Sequence, residues 1–271
     1  MTIEDFEDIL YEKEENGICT VIISKPEIRN AVTHITFFEI YRVLEDMEKD
    51  KNAKVLIITG DPKGKAFTSG GYFKPEMFEK MKKYPEIDIM DIAQKKLCMK
   101  FWDFNKPVIV AINGMAIGGG ITMPLAVADL IYMSEDAWLG FYFVKRAIIP
   151  EFANSFILPF YLGFQKAKEI VYFGDKITAK QAYELGLVNK VLPPDELIPF
   201  AREQALKLIP PKGPYLSIKL MKKTMHKYFR EIFSNTLDLE NKALRKTFTS
   251  KDFKESMQAL KEKREPTFIG K

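Results

Sequence analysis

Apolar and polar positions in the first two-thirds of the chain form short apolar runs set apart by a longer helical repeat. Ile18–Ser24, Val55–Thr59, Val108–Ile112 and Leu130–Met133 are apolar or β-branched at most positions and read as strands, the second closing on Gly60. Between the first two, Ile35, Phe38, Tyr41, Leu44 and Met47 recur every three residues and predict a helix from about residue 35 to 48. Thr33 or Thr36 would cap its start, because a hydroxyl there can accept an otherwise unbonded N–H of the first turn. This alternation argues for α/β layers rather than a helical bundle.

From about Ala153 the pattern turns mostly helical. Thr178 precedes a short helix ending at Gly186, and a brief strand, Leu187–Val191, leads into Pro193-Pro194. A helix from about Asp195 to Leu208 stops at Pro210-Pro211, and further helices are expected near 217–227, 229–247 and 251–263. There is no internal repeat and no low-complexity linker. The expected organisation is an α/β core over 1–200 and a helical C-terminal region over 201–271.

Composition narrows the class. With 271 residues, 46% hydrophobic and 29% charged, the chain fits an ordinary globular protein able to bury a large core. A net charge of +4 without a dense basic stripe gives no footprint for nucleic acid. The N-terminus is acidic and has no positive segment followed by an apolar stretch, and the longest apolar runs are far short of a membrane span. A cytoplasmic location and no membrane partner are therefore expected. Cys19 and Cys98 lie far apart and fit no metal spacing, so they read as thiols in a reducing compartment. Two histidines, His34 and His226, cannot build a histidine-rich metal site, and packing or surface roles are expected for both.

Two glycine-rich segments carry the candidate chemistry. Each directly follows a strand: Gly60 to Tyr72, with Ser69-Gly70-Gly71, and Asn113 to Gly120, with Gly118-Gly119-Gly120. Neither is a dinucleotide fingerprint or a phosphate-binding P-loop. Three glycines opening a helix leave backbone N–H groups uncovered and able to donate, although close helix–strand packing alone would also use them.

The combination goes further. Ser24 through Asn30-Ala31, then Ala66-Phe67-x-x-Gly70, then Pro107 through Asn113-Gly114 to Gly118-Gly119-Gly120, resembles the crotonase (enoyl-CoA hydratase/isomerase) superfamily in order and spacing. Asp129 before an apolar strand, Tyr172-Phe173-Gly174, and Ile177-Thr178-Ala179 through Gly186-Leu187-Val188 extend the resemblance over nearly the whole chain. It implies an α/β (α+β) fold, a spiral of ββα units, with helices that assemble a homotrimer or a hexamer. The substrate it implies is an acyl-CoA thioester, with no metal and no separate cofactor, coenzyme A being part of the substrate.

In that superfamily two backbone N–H groups hold the thioester oxygen as an enolate forms; the matching residues are Gly71 and Gly119. Each donor of this kind contributes about 3 kcal/mol toward a transition state, because the charge it meets develops only as the proton leaves. The resemblance also implies substrate contacts at Ala66, Thr68, Gly70, Tyr72, Gly118, Thr122, Phe143 and Asn154, with Arg29 and Lys263 near the CoA phosphates. Tyr72 stands where an aspartate is usual.

Departures from the pattern decide the expected reaction. The family's hydratases carry two glutamates, and the matching positions here are Thr122 or Met123 and Phe143. Adding water needs a base for the water and an acid for the carbon, so ordinary hydration is not expected. Ile149-Pro150-Glu151-Phe-Ala-Asn154-Ser155 instead resembles the segment in which the superfamily's isomerases place a single carboxylate. Shifting a double bond from C3 to C2 needs one group that takes a proton at C2 and returns it at C4, and Glu151 fits. A plain reading remains beside it, a charge stabilised by a helix N-terminus. Desolvation by Phe141, Tyr142, Phe143, Phe152 and Phe156 would raise its pKa and the dipole would lower it. Aryl-CoA dehalogenases place a nucleophilic aspartate at the same position, but the Trp and His they also use have no counterpart here. The expected activity is 3-enoyl to 2-enoyl isomerisation. Alternatives are a hydratase or ring-processing hydratase/hydrolase working through Glu151, Asn154 and Ser155, and a non-catalytic acyl-CoA- or RNA-binding member.

Overall fold

The computed structural model describes residues 3–72, 79, 82–88, 90–91 and 94–271. A six-stranded sheet runs β1 (Ile9–Lys13), β2 (Ile18–Ile23), β3 (Val55–Gly60), β5 (Val108–Ile112), β7 (Leu130–Ser134), β10 (Lys190–Leu192). Only β1 is antiparallel to its neighbour; the other pairs are parallel. The central strands read as continuous apolar runs because both of their faces are covered. Ile18, Val55, Ile57, Ile109 and Ala111 face a helix, α7 (Pro194–Lys207). Their neighbours Cys19, Val21, Leu56, Ile58, Val108 and Val110 point into the larger core on the other side. The side-chain period of two thus sorts one sequence into two layers.

Strands β3, β5 and β7 are each followed at once by a short strand of a second sheet, ordered β4 (Ala66–Thr68), β6 (Met115–Ile117), β8 (Trp138–Gly140), β9 (Lys176–Thr178). A helix follows each of the three: α2 (Lys95–Asp103), α3 (Gly119–Val127) and α4 (Asn154–Leu162). This is the expected succession of ββα units. Helices α5 (Phe164–Phe173), α6 (Ala179–Glu184), α8 (Tyr215–Phe248) and α9 (Lys251–Glu262) complete the chain.

Several sequence expectations are corrected. The first helix, α1 (His34–Lys49), is capped by Thr33, whose Oγ1 accepts the N–H of Ile35 and Thr36, while Thr36 completes the capping box. Its buried stripe is Phe37, Ile40, Val43, Leu44 and Met47, with Phe38 and Tyr41 only half-buried. A strict spacing of three drifts around a helix of 3.6 residues per turn, whereas the three-four alternation stays on one face. The helices expected at 217–227 and 229–247 are one, α8, since neither Gly nor Pro interrupts 215–248. The strand expected at 187–191 is instead Lys190–Leu192, paired with β7 in register, while Asn189 bonds Ile131 through both its backbone N–H and its side chain. A boundary at residue 200 cuts through α7, which belongs to the sheet it covers.

The long helix is fixed to the core by polar contacts as well as apolar ones. Buried Lys222 donates to Asp129 Oδ2 at 2.8 Å and to the Lys106 carbonyl at 3.0 Å. Trp102 Nε1 donates to the His226 carbonyl at 2.9 Å, and His226 Nδ1 lies 2.9 Å from the Trp102 carbonyl, with the rings stacked. Both cysteines are buried. Among the described residues no helix is long and apolar enough to cross a membrane, and no cluster of three His, Cys, Asp or Glu side chains could hold a metal.

Candidate active site

Strands β4 and β6 lie side by side in parallel, Thr68 opposite Ala116, and the two glycine segments leave their adjacent ends. The segments touch closely. A side chain at Gly120 would meet Thr68 Cγ2 at 2.4 Å, and one at Gly70 would meet the Ile117 carbonyl at 2.8 Å. Residues without Cβ are therefore needed at both places for the two loops to meet.

The backbone bonding around Gly71 leaves its N–H available. Val32 donates to the Gly70 carbonyl and accepts from Tyr72, both at 2.9 Å, so the pairing steps over Gly71. Thr68 Oγ1 accepts the Gly70 N–H at 3.1 Å. On the other segment, Gly118 donates to the Gly140 carbonyl, while Ile121 and Thr122 donate to Gly118. Gly119 is the first residue of α3, where an N–H has no partner within the helix. Among the described residues neither the Gly71 nor the Gly119 N–H is taken.

Glu151 completes the arrangement. A Cβ placed on Gly119 would stand 2.9 Å from Glu151 Oε1 and 3.4 Å from the Phe152 ring, so the carboxylate lies directly against the glycine. Glu151 is half-buried, and its carboxylate accepts no hydrogen bond from the described residues. Burial, and then the neighbouring charge of Glu240, push its pKa up to about 8. Desolvation is the larger cause of the rise. Phe143 is buried with its ring edge 3.9 Å from the direction a Gly118 side chain would take. An apolar ring therefore stands at the residue that the motif resemblance matches to the second hydratase glutamate.

Other expected site residues form the framework. Thr68, Thr122 and Asn154 are fully buried. Thr122 Oγ1 donates to the Gly118 carbonyl at 3.2 Å, and Asn154 Nδ2 donates to the Thr122 and Phe152 carbonyls at 2.8 and 3.2 Å. Met123, the other position considered for the first hydratase glutamate, is buried. Ala66 lies in β4, and half-buried Tyr72 packs on Ile35. Phe141 and Phe152 are core residues, with Phe152 edge-on to Phe37 at 5.3 Å. Arg29 and Lys263 are exposed, each on a left-handed turn, φ 55 and 56, that ends a helical segment.

Sequence reading missed Glu240 on α8. Its carboxylate accepts the Ala153 N–H through Oε2 and the Ser155 N–H through Oε1, both at 2.7 Å. The signal was present, because Phe233, Leu237, Glu240 and Leu244 share one helical stripe and all are buried. A charge within an apolar stripe needs a partner.

Comparison with known proteins places the chain in a family. The enoyl-CoA hydratase/isomerase family profile matches residues 13–271. The chain is 31% identical over 266 residues to crotonyl-CoA hydratase of Syntrophomonas wolfei, covering 98% of this chain and 99% of the relative. It is 26% identical to 1,2-epoxyphenylacetyl-CoA isomerase of Escherichia coli, covering 95% and 97%. The crystal structure of an enoyl-CoA hydratase/isomerase from Pseudoalteromonas atlantica superposes with a TM-score of 0.83 at 26% identity, covering 97% of this chain and all of that one. The chain therefore belongs to the enoyl-CoA hydratase/isomerase family of the crotonase superfamily, which supports an enzyme of the acyl-CoA hydratase/isomerase type.

Proposed function

We propose that the protein shifts the double bond of a 3-enoyl-CoA to the 2-enoyl position, with Glu151 as its single acid/base. One observation carries this reading: an unbonded carboxylate lies against Gly119, while Phe143 and Thr122 or Met123 stand where a hydratase pair would be. The ionised Glu151 takes a proton from C2, and the C–H electron pair moves into the thioester, placing negative charge on its oxygen. The N–H groups of Gly71 and Gly119 receive that charge. The dienolate then collapses, its double bond forming between C2 and C3 as C4 takes the proton back from Glu151. The atoms balance without water. A pKa near 8 suits both halves, since the group must first accept and then donate near neutral pH.

The CoA phosphates are assigned to exposed Arg29 and Lys263, where a long cationic side chain can reach a ligand without being desolvated. The bare apolar side chains Leu216, Met225 and Tyr228 on α8 fit the homotrimer or hexamer expected of this fold.

The test is deuterium exchange at C2 of a saturated acyl-CoA, which isolates proton abstraction from every later step. Wild type should exchange, and Glu151→Gln should lose exchange and isomerisation by roughly 10²–10⁴ while still binding the thioester. Exchange at the wild-type rate in the Gln variant, or crotonyl-CoA hydration outpacing isomerisation, would overturn the assignment.

A further inference from the structure

The turn that carries Glu151 is held in an unusual conformation. Phe152 and Ala153, the two residues after it, both have left-handed backbone, φ 61 and 57, and neither is glycine. Each such residue costs about 1 kcal/mol or more and persists only where its surroundings impose it. Three contacts impose it here. Phe152 packs edge-on against Phe37, Asn154 donates to the Thr122 carbonyl, and Glu240 accepts two N–H groups from the turn. Only the last comes from α8, 87 residues further along the chain, and only it brings charge.

We propose that Glu240 is a positioning residue for the acid/base: its carboxylate clamps the turn behind Glu151 and sets a second negative charge beside it. The proposal rests on the reading of Glu151 as the acid/base. Glu240 is 1% exposed, and each of its oxygens holds one backbone N–H, so its bonding is committed to the turn. Glu151 itself lies against Gly119. Among the described residues no cation pairs with either carboxylate. Among the described residues Cys98 of α2 also faces the pair, its thiol pushed up first by burial and then by Glu240, Asp91 and Glu151. Asp91 is committed to the N–H groups of Lys95 and Lys96 and to Asn241. Glu240 is thus the charge that acts on Glu151, adding to the rise that burial causes there.

Glu240→Gln keeps the length of the side chain, loses its charge and leaves one accepting oxygen for two N–H groups. The C2 exchange rate should fall about 10- to 100-fold, as for a displaced reacting group, with acyl-CoA affinity held within about twofold. The pH midpoint of exchange should also move to lower pH, because the like charge beside Glu151 is gone. Glu240→Asp keeps the charge but cannot span both N–H groups, so its rate should fall with the midpoint unmoved. Should Glu240→Gln fail to fold, the Asp variant decides, and a wild-type rate there would overturn the clamp. If Glu151→Gln abolishes exchange while Glu240→Gln keeps the wild-type rate and midpoint, the proposal fails and the acid/base reading stands. Equal loss of affinity, rate and melting temperature with an unmoved midpoint also overturns it, since that is a scaffold role. Undiminished exchange in Glu151→Gln removes the acid/base reading itself, and this proposal with it.

Discussion

Two glutamates in this molecule, one fully buried and one half-buried, are both raised by desolvation and end in opposite roles. Glu39, in the middle of α1, is fully buried and accepts the N–H groups of Glu7, Asp8 and Ile9 at 2.7, 3.0 and 3.1 Å. Burial pushes its pKa up to about 7, opposed by those three donors. Glu151 rises to about 8 and has no such donor among the described residues. A carboxylate whose lone pairs are filled by backbone holds the chain together; one whose lone pairs are empty, lying against a glycine with an unused N–H, is available to a substrate. A raised pKa alone does not separate the two. Hydrogen-bond satisfaction does.

The same contrast extends to the surroundings. Beside Glu39, Asp8 accepts from Thr33 and Thr36 at 2.7 Å each and pairs with Lys25 at 3.0 Å, so the buried charge is compensated on several sides. Glu39 and Glu151 each have a carboxylate neighbour that raises them, Asp8 and Glu240, but among the described residues no donor or cation compensates Glu151 itself. Compensation favours stability, and its lack favours a proton that can move.

The comparison can be broken by parallel substitutions. The largest expected effect is on rate: Glu151→Gln loses the roughly 10²–10⁴ given above, whereas Glu39→Ala should keep kcat within about threefold of wild type. Equal losses in the two variants, measured as C2 exchange, would erase the distinction. Next comes stability. Glu39→Ala leaves three N–H groups at the N-terminal strand without their acceptor and should cost about 3 kcal/mol in urea unfolding. Glu151→Gln should cost little, because it breaks no hydrogen bond.

A smaller effect concerns pH. Exchange at C2 needs the ionised carboxylate, so its rate should climb with pH and level off only above about pH 8. A plateau already reached by pH 6 would place the working group among ordinary carboxylates. The smallest effect is a sign. A folded-state pKa above the unfolded value of 4.5 gives stability that is complete below pH 4.5 and is lost as pH rises toward 8. Glu151→Gln removes that loss, so its melting temperature should match wild type near pH 4 and exceed it by a few degrees at pH 9. A variant less stable than wild type at pH 9 would mean that Glu151 makes a stabilising contact.

Much of this was legible in the chain. Local signals gave the alternating strands, a cap at Thr33 or Thr36 and the glycine segments after β3 and β5, because each is written in neighbouring residues, and motif resemblance pointed to Glu151. What local sequence could not carry was anything depending on contacts between distant segments. The merging of two expected helices into α8 needed only the absence of Gly and Pro, but its course over α2 and α4 is set by Trp102, Asp129 and the Glu151 turn. Residues expected to touch substrate, Thr68, Thr122 and Asn154, are committed to backbone partners that only the folded chain brings near.

By itself, then, the sequence determined the layers and the two glycine segments, since periodicity and glycine placement are properties of adjacent residues, while its resemblance to a known family singled out Gly71, Gly119 and Glu151. Tertiary structure alone decided that Glu151 would lie against Gly119 rather than in solvent, that its pKa would rise rather than fall, and that Glu240 would stand behind it. The reason is physical: desolvation and charge–charge interaction depend on what surrounds a group in space, and here the surroundings come from α3 and α8, far from Glu151 along the chain.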